Sequence, residues 1–125
     1  MPVKAFLITG ALLAGLGVIL GAFASHGLKG RLDANLLSAF QTGVHYHLLH
    51  ALALILVAVL MQQFPAASGL KWTGIAFIAG IVLFSGSLYL LATTGLRGFG
   101  PVTPLGGLLL IAGWIWLAWS CWRQL

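Results

Sequence analysis

The sequence has almost no acidic side chains: among 125 residues, Asp33 is the single carboxylate. Paired carboxylates for general acid and base catalysis are therefore excluded, and so are carboxylate-rich metal sites. The one cysteine, Cys121, excludes an internal disulfide and a cysteine-based metal cluster. The motifs of phosphate-binding loops, zinc proteases and serine hydrolases are absent as well. We therefore predict no catalytic residues, no metal and no cofactor.

Charge of either sign is scarce, since charged residues make up 6% of the chain and hydrophobic residues 61%. Soluble globular domains do not have this composition. The six lysines and arginines give a formal net charge of +5, but they stand singly between apolar runs and form no basic stripe. Nucleic acid is therefore not expected as a partner, and the lipid bilayer is.

Four apolar runs are long enough to cross a bilayer, because a spanning helix needs about 20 largely apolar residues. Backbone groups in lipid must pair within their own segment, so each run is predicted to be a helix. The predicted fold class is all-α, a four-helix transmembrane bundle that forms one integral membrane domain over residues 1–125. Its spans are predicted at about residues 5–24, 46–64, 72–92 and 105–122.

The segment between the first two spans is predicted to hold a short amphipathic helix. Asp33 is placed to cap it, and its apolar residues recur at helical spacing up to Val44. Such a helix is expected to lie along the membrane interface. Gly43 is expected to permit the bend into the second span.

The first span carries small residues at intervals of four, three and four, which places them on one helix face. Small residues allow another helix to approach closely. This face supports the hypothesis of a non-enzymatic structural or accessory subunit, packing with itself as a homo-oligomer or with a larger membrane complex. The helix-packing residues are Gly10, Ala14, Gly17 and Gly21.

Polar side chains gather toward one end of the predicted bundle, where the first and third spans end and the second and fourth begin. We predict that they converge into one polar pocket. His47 and His45 lie close to the expected membrane boundary, so His47 is the weaker candidate as a ligand. The predicted pocket consists of His26, Tyr46, His50, Ser85, Tyr89, Thr93, Arg97 and Thr103.

Three uses of this pocket remain open. The polar groups can simply hydrogen-bond between helices. They can form a small-molecule, lipid-headgroup or proton-handling site, with His26 and His50 as proton carriers and Arg97 attracting an anionic group. The third alternative is a haem- or quinone-linked redox protein, because imidazole binds haem iron and hydrogen-bonds quinone carbonyls.

Four motifs in order along the chain are similar to those of a known family: GAFASHG from residue 21, TGVHYHLLHA from residue 42, LFSGSLY from residue 83 and VTPLGG from residue 102. They resemble the small bacterial membrane proteins of domain of unknown function 423, the YgdD-like proteins, which are related to eukaryotic transmembrane protein 256. The family motif positions fall here on His26, Tyr46, His50, Ser85, Ser87, Tyr89, Thr103 and Pro104.

The resemblance implies a four-helix protein of the bacterial inner membrane whose biochemical role is not established. The family commonly has glutamine where this chain has His47, which counts against a metal site that needs His47. Basic tails in relatives imply that both termini are cytoplasmic. The charges of this chain do not fix its orientation, since three basic residues fall on each predicted face: Lys4, Lys71 and Arg123 against Lys29, Arg31 and Arg97.

Overall fold

The computed structural model describes residues 2–125, which form four long helices joined by short connections. The helices are long and apolar enough to cross a membrane, and no strand occurs between residues 2 and 125. The predicted all-α, four-helix membrane fold is therefore confirmed. The helices are α1 (Pro2–Leu28), α2 (Ala34–Gln63), α3 (Leu70–Thr94) and α4 (Val102–Gln124), the last preceded by a 3-10 turn at Arg97–Phe99.

The two middle helices, α2 and α3, form the centre of the bundle. α1 packs mainly against α2, and α4 packs mainly against α3. The core draws on all four helices and contains Leu54, Leu70 and Phe77, whose side chains are fully buried. Most of the surface of α1 and α4 is left exposed, as expected for outer helices that face lipid.

The small residues of α1 face α2. A Cβ atom on Gly10 would lie 2.7 Å from the Ile55 side chain and 3.1 Å from the carbonyl oxygen of Ala51. Gly17 is equally close to Leu48, and Ala14 is half-buried on the same helix. The closely packed face is thus used within the chain, and it is not free to receive a second copy.

The second helix begins much earlier than its apolar run. It starts at Ala34, capped by the Asp33 carboxylate, which accepts the backbone N–H of Leu36 over 2.8 Å. The amphipathic segment is therefore the first part of α2 and not a separate helix, and the bend expected at Gly43 does not occur. The expectation of a bend was wrong because Gly43 serves another purpose: a Cβ there would lie 2.8 Å from the ring of Tyr89.

Helix α3 is interrupted by one π-helical turn at Ile81–Ser85. Such turns insert an extra residue and often occur at functional sites. The turn ends at Ser85, whose hydroxyl donates to the carbonyl oxygen of Gly43 on α2 over 2.7 Å in a buried position. The close approach at Gly43 thus joins the two central helices by packing and by a hydrogen bond.

Candidate functional site

His47 lies near the middle of α2 with 2% of its surface exposed, and it contacts two neighbouring helices. Its Nε2 is 2.7 Å from the carbonyl oxygen of Leu13 on α1, and its Nδ1 is 2.8 Å from the hydroxyl oxygen of Tyr89 on α3. A carbonyl only accepts, so Nε2 carries the proton. In the neutral ring, Nδ1 then accepts the Tyr89 hydroxyl proton, and one side chain joins three helices.

His50, one turn further along α2, makes a second connection. Its Nδ1 lies 2.8 Å from the carbonyl oxygen of Tyr46, and its Nε2 accepts the indole N–H of Trp114 on α4 over 2.9 Å. An indole N–H only donates, so Nε2 carries no proton and Nδ1 donates to the carbonyl. His50 is therefore a neutral imidazole that joins α2 to α4.

The two histidines are thus held in opposite tautomers, and all four of their ring nitrogens are engaged. Neither offers a free lone pair to a metal, and residues 2–125 contain no group of three or more His, Cys, Asp or Glu side chains that could hold a metal ion. Protonating His50 at Nε2 would turn two N–H groups toward each other. This arrangement suits helix cross-linking better than proton transfer.

Hydroxyl groups on α3 make further helix contacts. The Ser87 hydroxyl lies 2.9 Å from the Phe84 carbonyl oxygen and 2.5 Å from the Thr103 hydroxyl on α4. Thr93, by contrast, donates back to the Tyr89 carbonyl within α3 over 2.8 Å and is exposed. Side-chain hydrogen bonds between helices, such as the one from Ser87 to Thr103, stabilise membrane proteins by about 0.6 kcal/mol on average, and by at most about 1.7 kcal/mol.

The single pocket predicted from the sequence is not formed. Tyr89 belongs to the hydrogen bonds around His47, whereas Tyr46 belongs to those around His50. His26 is exposed in the last turn of α1, and Arg97 is exposed in the 3-10 turn before α4. Several separate groups of hydrogen bonds, including those of Ser85 and Thr103, thus replace one convergent cluster.

Three partners of His47 and His50 were not predicted from the sequence. They are the Leu13 carbonyl oxygen, the Trp114 indole and the Phe77 ring, which meets His50 edge-on at 5.3 Å. One signal was available for Trp114. An indole N–H in a membrane-spanning helix has no water to bond and needs another acceptor, and few side chains of this sequence can supply one. The carbonyl oxygen of Leu13 left no signal, because every residue carries the same group.

Known proteins resemble this chain along most of its length. The family described as "Protein of unknown function (DUF423)" matches residues 20–107. UPF0382 membrane protein YwdK of Bacillus subtilis is 46% identical over 112 residues, covering 90% of this chain and 91% of its own. UPF0382 membrane protein SH2409 of Staphylococcus haemolyticus is 42% identical over 120 residues, covering 96% and 97%. No solved structure matches the chain significantly.

The family match covers well over half of the chain, and the relatives cover nearly all of it. The resemblance predicted from the four motifs is thereby confirmed, and so is a four-helix membrane protein without an established biochemical role. This chain belongs to the DUF423 family of membrane proteins of unknown function.

Proposed function

We propose that this protein is a non-enzymatic accessory subunit of the membrane, which acts by packing the outer face of α1 against another transmembrane helix. A second copy of the chain is the first partner to test. The observation that carries this proposal is the pair of exposed small residues Ala11 and Gly15, four apart on the face of α1 that points away from α2. A Cβ on Gly15 would meet nothing within 4 Å.

Bulky apolar side chains surround the space left by the small residues Ala11 and Gly15. Leu12 is 69% exposed and Ile19 is 65% exposed, and both lie on the same outer surface of α1. Two helices that present small residues four apart can approach closely and gain dispersion contacts along their length. Neither electrostatic attraction nor a hydrogen bond is needed for such a contact.

The hydrogen bonds of His47 and His50 support a non-enzymatic role. His47 and His50 use their ring nitrogens to hold the bundle together, and the sole carboxylate, Asp33, caps α2. A catalytic acid, base or nucleophile has to reach a substrate with a free atom. Neither histidine has a free ring nitrogen to offer in this arrangement.

The test is the oligomeric state in lipid vesicles at low protein density, measured by counting photobleaching steps of a single label per chain. Wild type is expected to be dimeric, and Gly15→Phe is expected to be monomeric because the ring fills the gap. Val82→Phe adds similar bulk to a residue of α3 that is 61% exposed and serves as the matched control. A monomeric wild type contradicts self-association, and recovery of a defined larger complex from native membranes would assign the face to a different subunit.

We also propose that the protein resides in the bacterial inner membrane with both termini in the cytoplasm. Support comes from the family resemblance and from Arg123 close to the end of α4. Fusing alkaline phosphatase or green fluorescent protein to the C-terminus separates the alternatives. We expect fluorescence and no phosphatase activity, and the opposite result would reverse the orientation.

A further inference from the structure

The structure has a lateral cleft between α2 and α4, which make few direct contacts, among them the hydrogen bond between His50 and Trp114. The cleft has a volume of about 320 Å³, within the range of small-molecule sites, roughly 300–1,000 Å³. Exposed Leu49 and Ile111 stand at its rim, so it opens sideways toward lipid. Its other lining residues include Tyr46, Phe84, Gly107 and Leu110.

The walls of the cleft are aromatic and uncharged. The Tyr46 ring meets the Phe84 ring edge-on at 5.0 Å and lies nearly parallel to the His50 ring at 6.2 Å. Trp114 closes the far side. Flat rings pack well against such surfaces, whereas a charged lipid headgroup would find no counter-charge among the lining residues.

One hydrogen-bond donor in the cleft is unused. The Tyr46 side chain is 40% exposed, and among residues 2–125 its hydroxyl has no hydrogen-bond partner, while both nitrogens of His50 are taken. An unpaired hydroxyl in an apolar setting is costly. A ligand that brings an acceptor, such as a carbonyl oxygen, to the level of Tyr46 would satisfy this hydroxyl.

Two neighbouring glycines at the cleft differ in what packing requires of them. A Cβ on Gly106 would run into the backbone of Leu83 and Phe84 on α3, so Gly106 is needed for helix packing. A Cβ on Gly107 would lie 3.6 Å from the Phe84 ring, an ordinary contact distance. Packing therefore does not require glycine at 107, and the missing side chain leaves the cleft open.

We propose that this cleft binds the ring of a membrane-soluble isoprenoid quinone, with the Tyr46 hydroxyl donating to a quinone carbonyl and the rings of Phe84 and Trp114 packing against the quinone. An isoprenoid tail leaves through the opening between Leu49 and Ile111 into lipid. The proposal concerns binding alone, and it goes beyond the association of α1 with a partner, from which it is independent.

The test uses ubiquinone-1 as the probe, titrated into the purified protein in phosphatidylcholine nanodiscs while tryptophan fluorescence is recorded. Wild type is expected to show saturable quenching, since Trp114 lines the cleft. Gly107→Phe is expected to abolish the saturable part by filling the cleft. Tyr46→Phe is expected to weaken binding about five-fold, the effect of one lost hydrogen bond.

Val82→Phe is the matched control, because it adds a ring at an exposed position on α3 outside the cleft and is expected to bind like wild type. Thermal melting checks that each variant is folded, and Gly107→Leu replaces Gly107→Phe if the larger ring lowers the melting temperature. Non-saturable quenching that is equal in wild type and Gly107→Phe reflects partition into lipid and overturns the proposal. Two other results would overturn it as well if wild type shows no saturable quenching by ubiquinone-1. One is phospholipid that copurifies with wild type but not with Gly107→Phe, and the other is a dimer that Gly107→Phe loses.

Discussion

The indole N–H of Trp114 donates to Nε2 of His50 over 2.9 Å, and this contact fixes the charge of the histidine. Because Trp114 has no acceptor to offer, the bond exists only while Nε2 is unprotonated. The opposite nitrogen is held by the Tyr46 carbonyl oxygen. A residue type often associated with proton transfer is thus a neutral bridge between α2 and α4.

Removing the indole N–H should destabilise the bundle without opening its core. Trp114→Phe keeps a ring against Phe77, whose centroid lies 4.9 Å away, but it leaves Nε2 of His50 without a donor. We expect a loss of about 1–2 kcal/mol in the free energy of unfolding, measured by denaturant titration in detergent micelles. Trp122→Phe, at a position 85% exposed, should leave stability unchanged, and equal losses in both variants would contradict the bridge.

The bond between His47 and Tyr89 should appear as coupling between the two residues. A double-mutant cycle with His47→Leu and Tyr89→Phe isolates the pair, since the phenylalanine retains the packing of the ring against Phe40. We expect a coupling energy of about 0.6–1.7 kcal/mol from unfolding titrations. Strictly additive losses would show that the hydroxyl and the imidazole do not interact.

Adjacent glycines on α4 should respond very differently to the same small change. Gly106→Ala places a methyl group against the backbone of Leu83 and Phe84, and backbone cannot move aside as a flexible side chain can. Gly107→Ala meets only ordinary contacts. We expect Gly106→Ala to lower the melting temperature strongly or to prevent folding, while Gly107→Ala melts within a few degrees of wild type or above it. Similar melting temperatures would contradict the close approach of α3 and α4.

One buried hydroxyl should be dispensable. Thr73 is fully buried, and its Oγ1 has no hydrogen-bond partner within residues 2–125. Burying an unpaired hydroxyl costs about 1–3 kcal/mol, so Thr73→Val is expected to raise the free energy of unfolding. Thr103→Val is the control, because it removes a hydroxyl that is bonded to Ser87, and it should lower stability. A loss in both variants would point to a partner for Thr73.

The sequence was sufficient to predict the four helices and one closely packed helix face. Apolar length predicted four spans, and the spacing from Gly10 to Gly21 predicted a close helix contact. The spacing did not identify the helix that packs against this face, which is α2 of the same chain, because small residues pack equally well within a chain or between chains. That distinction depends on the order of helices in space.

The sequence missed the contacts of His47 because hydropathy locates apolar runs and does not show which way a side chain points. The apolar run of α2 begins near Tyr46, so His47 was expected to reach the headgroups, whereas its side chain is 2% exposed and bonded to α1 and α3. The prediction of a single polar pocket was wrong for a related reason. Connectivity brings residues to one end of a bundle, but rotation of each helix decides where their side chains point, and it leaves His26 and Arg97 outside.

The most direct test of the structural role of the two histidines is their tautomeric state in lipid bilayers, measured by solid-state NMR of ¹⁵N-labelled imidazole at neutral pH. The predicted result is two neutral rings in opposite tautomers, with the proton on Nε2 in His47 and on Nδ1 in His50. Single substitutions assign the two signals. A doubly protonated ring at either position, or the same tautomer at both, would contradict the account.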